Sequence, residues 1–137
     1  MTGPHIDHIG IIVENMDESV SLFERLFGIQ PVALKEMHEV GLRIAQIKTA
    51  NVDIELIQYI TEEEGVARTV MGSRPGINHI AVRVDDVEAS LKGFQDNGAR
   101  LMDGFPRQGS HGPVAFFEPE STQAIFLEIC EHTEKER

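Results

Sequence analysis

The chain nearly repeats itself at about half its length, and no other feature constrains its fold so strongly. His8 in Asp7-His8-Ile9-Gly10-Ile11-Ile12-Val13 is answered by His79 in Asn78-His79-Ile80-Ala81-Val82-Arg83-Val84, 71 positions later. Gln58 in Glu55-Leu56-Ile57-Gln58 aligns with Glu128 in Phe126-Leu127-Glu128-Ile129, and Gly28 with Gly98, each pair 70 apart. At 137 residues the chain suits one domain made of two small modules that share a core. The repeat assigns a first module to residues 5–60, a linker to 61–76 and a second module to 77–131.

Each module reads as strand, helix, then three strands. Residues 6–13 are rich in β-branched side chains, with Ile9, Ile11 and Val13 on one face and His8, Gly10 and Ile12 on the other. Asn15-Met16-Asp17-Glu18 has the form of a helix cap, Val20, Phe23, Leu26 and Phe27 recur at helical spacing, and Gly28 supplies a stop, so a helix is expected over 16–27. Strands follow at 30–35, 40–47 and 52–60, parted by Glu36 to Glu39 and Thr49 to Asn51. Glu62-Glu63-Glu64-Gly65 reads as a solvated helix start inside the linker. The second module repeats the order: a strand over 77–84, a helix from the Asp85-Asp86-Val87-Glu88 cap to Asn97-Gly98, and strands near 100–102, 113–117 and 124–130. A polar tail from Glu131 is expected to fray. The fold class is α+β, with two tandem βαβββ modules.

Composition narrows the function. No apolar run reaches the roughly 18 residues of a spanning helix, and no signal peptide is visible, so no membrane role and cytoplasmic residence are expected. A formal charge of −11 argues against nucleic acid, whose binders carry a basic stripe. An anionic substrate would need a local basic patch, for which Arg43, Lys48, Arg100 and Arg107 are the candidates. Cys130 is the only cysteine, so any metal must rely on nitrogen and oxygen ligands.

Such ligands recur in the repeat. Glu128 lies in a strand apolar on both faces, and Gln58 shares its face with Val52, Ile54 and Leu56; a carboxylate and an amide there both need compensation. Two histidines early in duplicated strands and two oxygen-bearing side chains late in them converge if a pseudo-twofold axis relates the modules. The expected metal ligands are therefore His8, Gln58, His79 and Glu128. Two imidazoles, an amide and a carboxylate suit a divalent cation with open positions for substrate oxygens.

The Asp-His-Ile-Gly-Ile-Ile-Val opening, the Asn-His-Ile-Ala-Val-Arg-Val-Asp-Asp centre and the Phe-Leu-Glu-Ile ending resemble the vicinal oxygen chelate (glyoxalase/bleomycin resistance) superfamily over about residues 6–131. Within it, the order His, Gln, His, Glu is similar to the methylmalonyl-CoA epimerase family. That resemblance implies that the two modules form a curved mixed sheet around a metal site, the vicinal oxygen chelate fold, and that the site holds a divalent ion, often cobalt, with zinc, nickel and manganese as alternatives. It implies a 1,1-proton transfer on an acyl-CoA thioester, with one base on each face of the acidified carbon. Glu128 and Glu39 are the candidate bases, Glu39 reading equally as a solvated turn residue. Several bacterial relatives carry a glutamate where this chain has Ile44. Gly109-Ser110-His111-Gly112 resembles the family's glycine-flanked substrate loop, making Ser110, His111 and Gly112 candidate substrate contacts; His5, His38 and His132 read as exposed loop histidines. Phe116-Phe117-Glu118-Pro119-Glu120 replaces a family stretch that carries a lysine. A homodimer is the default assembly. The alternatives are a glyoxalase I-like lyase acting on a glutathione hemithioacetal, and a non-enzymatic binding member of the superfamily.

Overall fold

The computed structural model describes residues 3–62 and 65–133. Contacts group them into two compact units, His8–Asn78 and Met1–Asp7 with His79–Arg137.

In the first unit the elements are β1 (His5–Ile12), α1 (Met16–Phe27), β2 (Ala33–Met37), β3 (Leu42–Lys48), β4 (Asp53–Tyr59) and α2 (Val66–Met71). Helix α1 begins and ends where the sequence signals say. The Asn15 carboxamide oxygen accepts the Glu18 N–H at 3.0 Å, and Gly28 turns left-handed at φ 70° while its N–H reaches the Glu24 carbonyl. The strand order is β2-β3-β4-β1. Strand β3 runs antiparallel to both neighbours and β1 parallel to β4, the return that a βαβββ unit makes.

Met16, Ala45, Ile47 and Leu56 close the core beneath α1, with Val20 and Phe23 packed on them. On the opposite face of the same strands, Leu42, Ile44 and Ile57 are covered by Ala67 and Met71 of α2. Cover on both faces explains why β3 and β4 read as nearly continuous apolar runs rather than a clean alternation. The turn before β3 falls at residues 38–41, two positions later than the polar stretch suggested. Gly41, at φ 78°, supplies the left-handed residue that closes it. Of the three glutamates expected to open the linker helix, Glu62 is exposed, whereas Glu63 and Glu64 lie outside the described residues; the helix starts only at Val66.

The second unit contains β5 (Gly76–Arg83), α3 (Val87–Asp96), β6 (Arg107–Gln108), β7 (Pro113–Phe116) and β8 (Leu127–Cys130). Its order, β5-β8-β7-β6 with β8 parallel to β5, is that of the first unit over again. Val87, Ala115, Phe117 and Ile129 form the core under α3, where Phe94 stacks on Phe117 with ring centroids 5.2 Å apart.

Three local expectations are corrected in this unit. The strand expected at 100–102 is only a single bridge between Leu101 and Phe117, and β6 forms further on. The last strand starts at Leu127, not at Ala124, because Gln123 and Ala124 sit at φ 61° and 65°, outside any strand geometry. The tail does not fray at Glu131: the Glu131 N–H donates to the Pro113 carbonyl and the Thr133 N–H to that of His111, at 3.1 and 3.0 Å. Residues 134–137 lie outside the described chain. No described helix is long and apolar enough to cross a membrane.

The tail closes over Gly112 so tightly that a Cβ there would fall 2.4 Å from the Glu131 carbonyl oxygen. Gly112→Ala should therefore destabilise the protein by about 1–3 kcal/mol through overpacking against backbone. Thermal unfolding followed by circular dichroism should show it as a midpoint lower by roughly 5 °C or more.

Candidate metal centre

Each unit places a buried imidazole beside a buried carboxylate, by the same construction. In the first, β1 pairs with β4 so that Gly10 lies across from Glu55, two residues beyond His8 on the same strand face. His8 Nε2 and Glu55 Oε1 are 3.5 Å apart, and each residue is 5% exposed. In the second, β5 pairs with β8 so that Ala81 lies across from Glu128, again two residues beyond the histidine. His79 Nε2 and Glu128 Oε1 are 3.0 Å apart, and the two residues are equally buried. Phe116 and Phe126 set their rings nearly edge-on to His79, at 5.2 and 6.0 Å, which fixes the plane of its imidazole.

Gln58 does a different job from the one its alignment with Glu128 suggested. It lies three residues beyond Glu55, on the opposite face of β4. There its side-chain oxygen accepts the N–H of Met16, the first residue of α1, at 2.8 Å. The second unit repeats this contact: Glu131, three residues beyond Glu128, accepts the N–H of Val87, the first residue of α3, also at 2.8 Å. The structural equivalents are thus Glu55 with Glu128 and Gln58 with Glu131, each pair 73 apart, while the histidines remain 71 apart. The second unit holds two more residues than the first between its histidine and its last-strand glutamate, and that difference displaced the register. The sequence carried the signal, because Glu55-Leu56-Ile57-Gln58 overlays Glu128-Ile129-Cys130-Glu131 with polar residues at both ends.

The remaining candidates separate by position. Glu39 lies exposed in the turn between β2 and β3. That turn lies beyond the Leu42–Tyr59 row, and Tyr59 is four residues along β4 from Glu55, or about 13 Å at strand spacing, which favours the solvated-turn reading. Ile44 is buried across from Ile57, an apolar surface on the face that carries His8 and Glu55. Ser110, His111 and Gly112 lie in the short connection between β6 and β7, closed by the Gly109 N–H on the Gly112 carbonyl at 2.7 Å. His5 and His38 are exposed, as expected. His132 is not: its side chain is 12% exposed, its Nε2 lies 2.8 Å from a carboxylate oxygen of Asp7, and its ring stacks on that of His111 at 4.8 Å.

Buried carboxylates are costly unless something positive compensates them. Glu55 and Glu128 each lie against an imidazole nitrogen at the distances above, and histidine and carboxylate together make a donor set for a hard or borderline divalent cation. The described residues therefore include buried groups chemically suited to bind metal.

A family model described as Glyoxalase/Bleomycin resistance protein/Dioxygenase superfamily matches residues 7–117. The chain is 30% identical over 127 residues to the uncharacterized protein YqjC of Bacillus subtilis (strain 168), covering 92% of this chain and 91% of that one. It is 27% identical to the mitochondrial methylmalonyl-CoA epimerase of Dictyostelium discoideum, covering 92% of this chain and 77% of that one. Among solved structures, a methylmalonyl-CoA epimerase in complex with methylmalonyl-CoA and NH4+ superposes with a TM-score of 0.79 at 26% identity, covering 96% of both chains. The fold is the vicinal oxygen chelate fold.

Removing the Gln58 acceptor should leave the first N–H of α1 without its partner. Gln58→Ala is expected to cost about 1 kcal/mol, as loss of a helix cap does, readable as a shift of the urea midpoint with an unchanged slope.

Proposed function

The chain belongs to the glyoxalase/bleomycin resistance/dioxygenase superfamily, and from that premise we propose that it is a metal-dependent epimerase acting by 1,1-proton transfer on methylmalonyl-CoA or a related acyl-CoA thioester. The observation that supports this reading best is the duplicated histidine and carboxylate pair, built on the same register in both units. Epimerase activity in relatives at this level of identity supports the reaction class.

We assign the metal ligands to His8, Glu55, His79 and Glu128, with Glu55 replacing Gln58 for the geometric reason given above. A divalent ion, cobalt first and zinc, nickel or manganese after it, would supply Lewis-acid polarisation of substrate oxygens. The protein supplies the rest. Inversion at carbon needs a group to take the proton from one face and another to return it on the other. Glu55 and Glu128, one from each module, are the carboxylates available for that exchange. Ile44 stands where several relatives carry a glutamate, so it offers no second base at that position. Ser110, His111 and Gly112 are the proposed contacts to substrate from the second module.

One observation favours a second reading, a glyoxalase I-like lyase. With glutamate at 55, two carboxylates balance a divalent ion, so the centre is formally neutral and is less attractive to a second carboxylate, such as that of a malonyl group, than a site with an amide would be. A glutathione hemithioacetal offers uncharged oxygens instead.

The test is metal content together with isotope exchange. Glu128→Ala and Glu55→Ala should each lose bound metal in elemental analysis and lose exchange of the substrate α-proton with deuterated water by at least 100-fold, the scale of a removed general base. Gln58→Ala should keep both. Full exchange by Glu128→Ala would sink the mechanism. Turnover of methylglyoxal with glutathione, in place of methylmalonyl-CoA, would select the lyase.

A further inference from the structure

One backbone hydrogen bond closes the same connection in both units. In the first, the Ile60 N–H, just past β4, donates to the Gly41 carbonyl at 2.9 Å; in the second, the Thr133 N–H, past β8, donates to the His111 carbonyl at 3.0 Å. Ile60 and Thr133 are 73 positions apart, the same offset as Gln58 and Glu131. The first unit makes this closure with a glycine as acceptor, so the backbone needs no side chain there. The second unit sets three side chains at it. The His111 ring lies on that of His132, with centroids 4.8 Å apart and planes 18° from parallel, and His132 Nε2 lies 2.8 Å from an Asp7 carboxylate oxygen.

These groups run from the interior to the surface. Asp7 is 8% exposed and the His132 side chain 12%, whereas Ser110 and His111 are half-buried. A carboxylate taken out of water is costly, and a buried pair contributes little net stability compared with apolar residues of the same volume. What the pair supplies is orientation. Asp7 fixes the His132 imidazole, and that ring in turn sets the plane of the His111 ring stacked on it.

We infer that His132 is a positioning residue for the substrate loop: anchored by Asp7, it holds His111, and with it Ser110 and Gly112, in the geometry that binds the substrate. The inference rests on the proposed role of residues 110–112 as substrate contacts. His132 is four residues beyond Glu128, about 13 Å at strand spacing. The loop it holds therefore meets the ligand out along its carrier arm, not at the carbon that exchanges its proton. Contacts that far from the chemistry bind ground state and transition state alike, and their loss raises KM while leaving kcat unchanged.

Steady-state kinetics on the full chain test this, with methylmalonyl-CoA or the glutathione hemithioacetal, whichever the wild type turns over. His132→Ala should raise KM about tenfold, the scale of a coupled pair of side chains, with kcat within about twofold of wild type and metal content unchanged. His132→Gln, which keeps a donor for Asp7 and loses the ring, should raise KM as much while holding the wild-type melting temperature, so the test survives misfolding of the alanine variant. In a His111→Ala background His132→Gln should add nothing to KM, because it acts through the ring that is gone. Wild-type KM in His132→Gln, a fall in kcat with KM unchanged, or a full further rise on top of His111→Ala would each overturn the inference. Calorimetric titration with coenzyme A and with reduced glutathione separates it from the reaction. If the wild type turns over neither substrate, the reaction falls; about tenfold weaker binding of either carrier by His132→Gln then leaves the positioning role standing, and unchanged binding, or a wild type that binds neither carrier, overturns both.

Discussion

A carboxylate buried against an imidazole, across a pair of parallel strands, is the interaction on which the rest of each module depends. Neither Glu55 nor Glu128 could stay buried as an anion in an apolar strand without a compensating group. The parallel return of β4 to β1, and of β8 to β5, sets that group two residues from the point of closest pairing. The βαβββ unit brings its last strand alongside its first in parallel, so the topology and the buried pair stand together.

A second polar contact ties the helix to the same strands. Gln58 and Glu131 reach out from the last strand of their modules to the first N–H of α1 and α3. Helix ends carry unsatisfied donors, and here the sheet supplies acceptors beyond those of Asn15 and Asp86, which bond two residues further in at Glu18 and Ala89. One strand thus does opposite work on its two faces. Glu55 and Glu128 turn to their histidines, and the residues three positions on turn to the helices. Amide and carboxylate serve equally as helix acceptors, which is why that position differs between modules while the function is the same.

In the second unit the residues after β8 organise the connection between β6 and β7. Thr133 bonds the His111 carbonyl, the His132 ring lies on that of His111, and Asp7 meets His132, so Ser110, His111 and Gly112 are held from the C-terminal side. The polar composition of residues 131–133 suggested solvation. It was the backbone partners and the close approach at Gly112, neither visible in composition, that ordered them.

Local chemistry made much of this protein legible from its residues alone. Asn15, Gly28 and Asp86 bounded the helices because capping and left-handed turns depend on near neighbours, and the repeat of His8 at His79 announced two modules of one design. What the sequence could not decide was the register between distant strands. A match at one fixed offset passed over two residues of length difference, so Gln58 was paired with Glu128 although strand alternation sets it on the helix face. Likewise the bridge at Leu101 and the late start of β8 follow from backbone angles and long-range pairing at Gln123 and Ala124. Side chains that meet across strands do so by hydrogen-bond register, and register is a property of the folded sheet: the sequence alone determined the kinds of group available, and the tertiary structure decided which of them face one another.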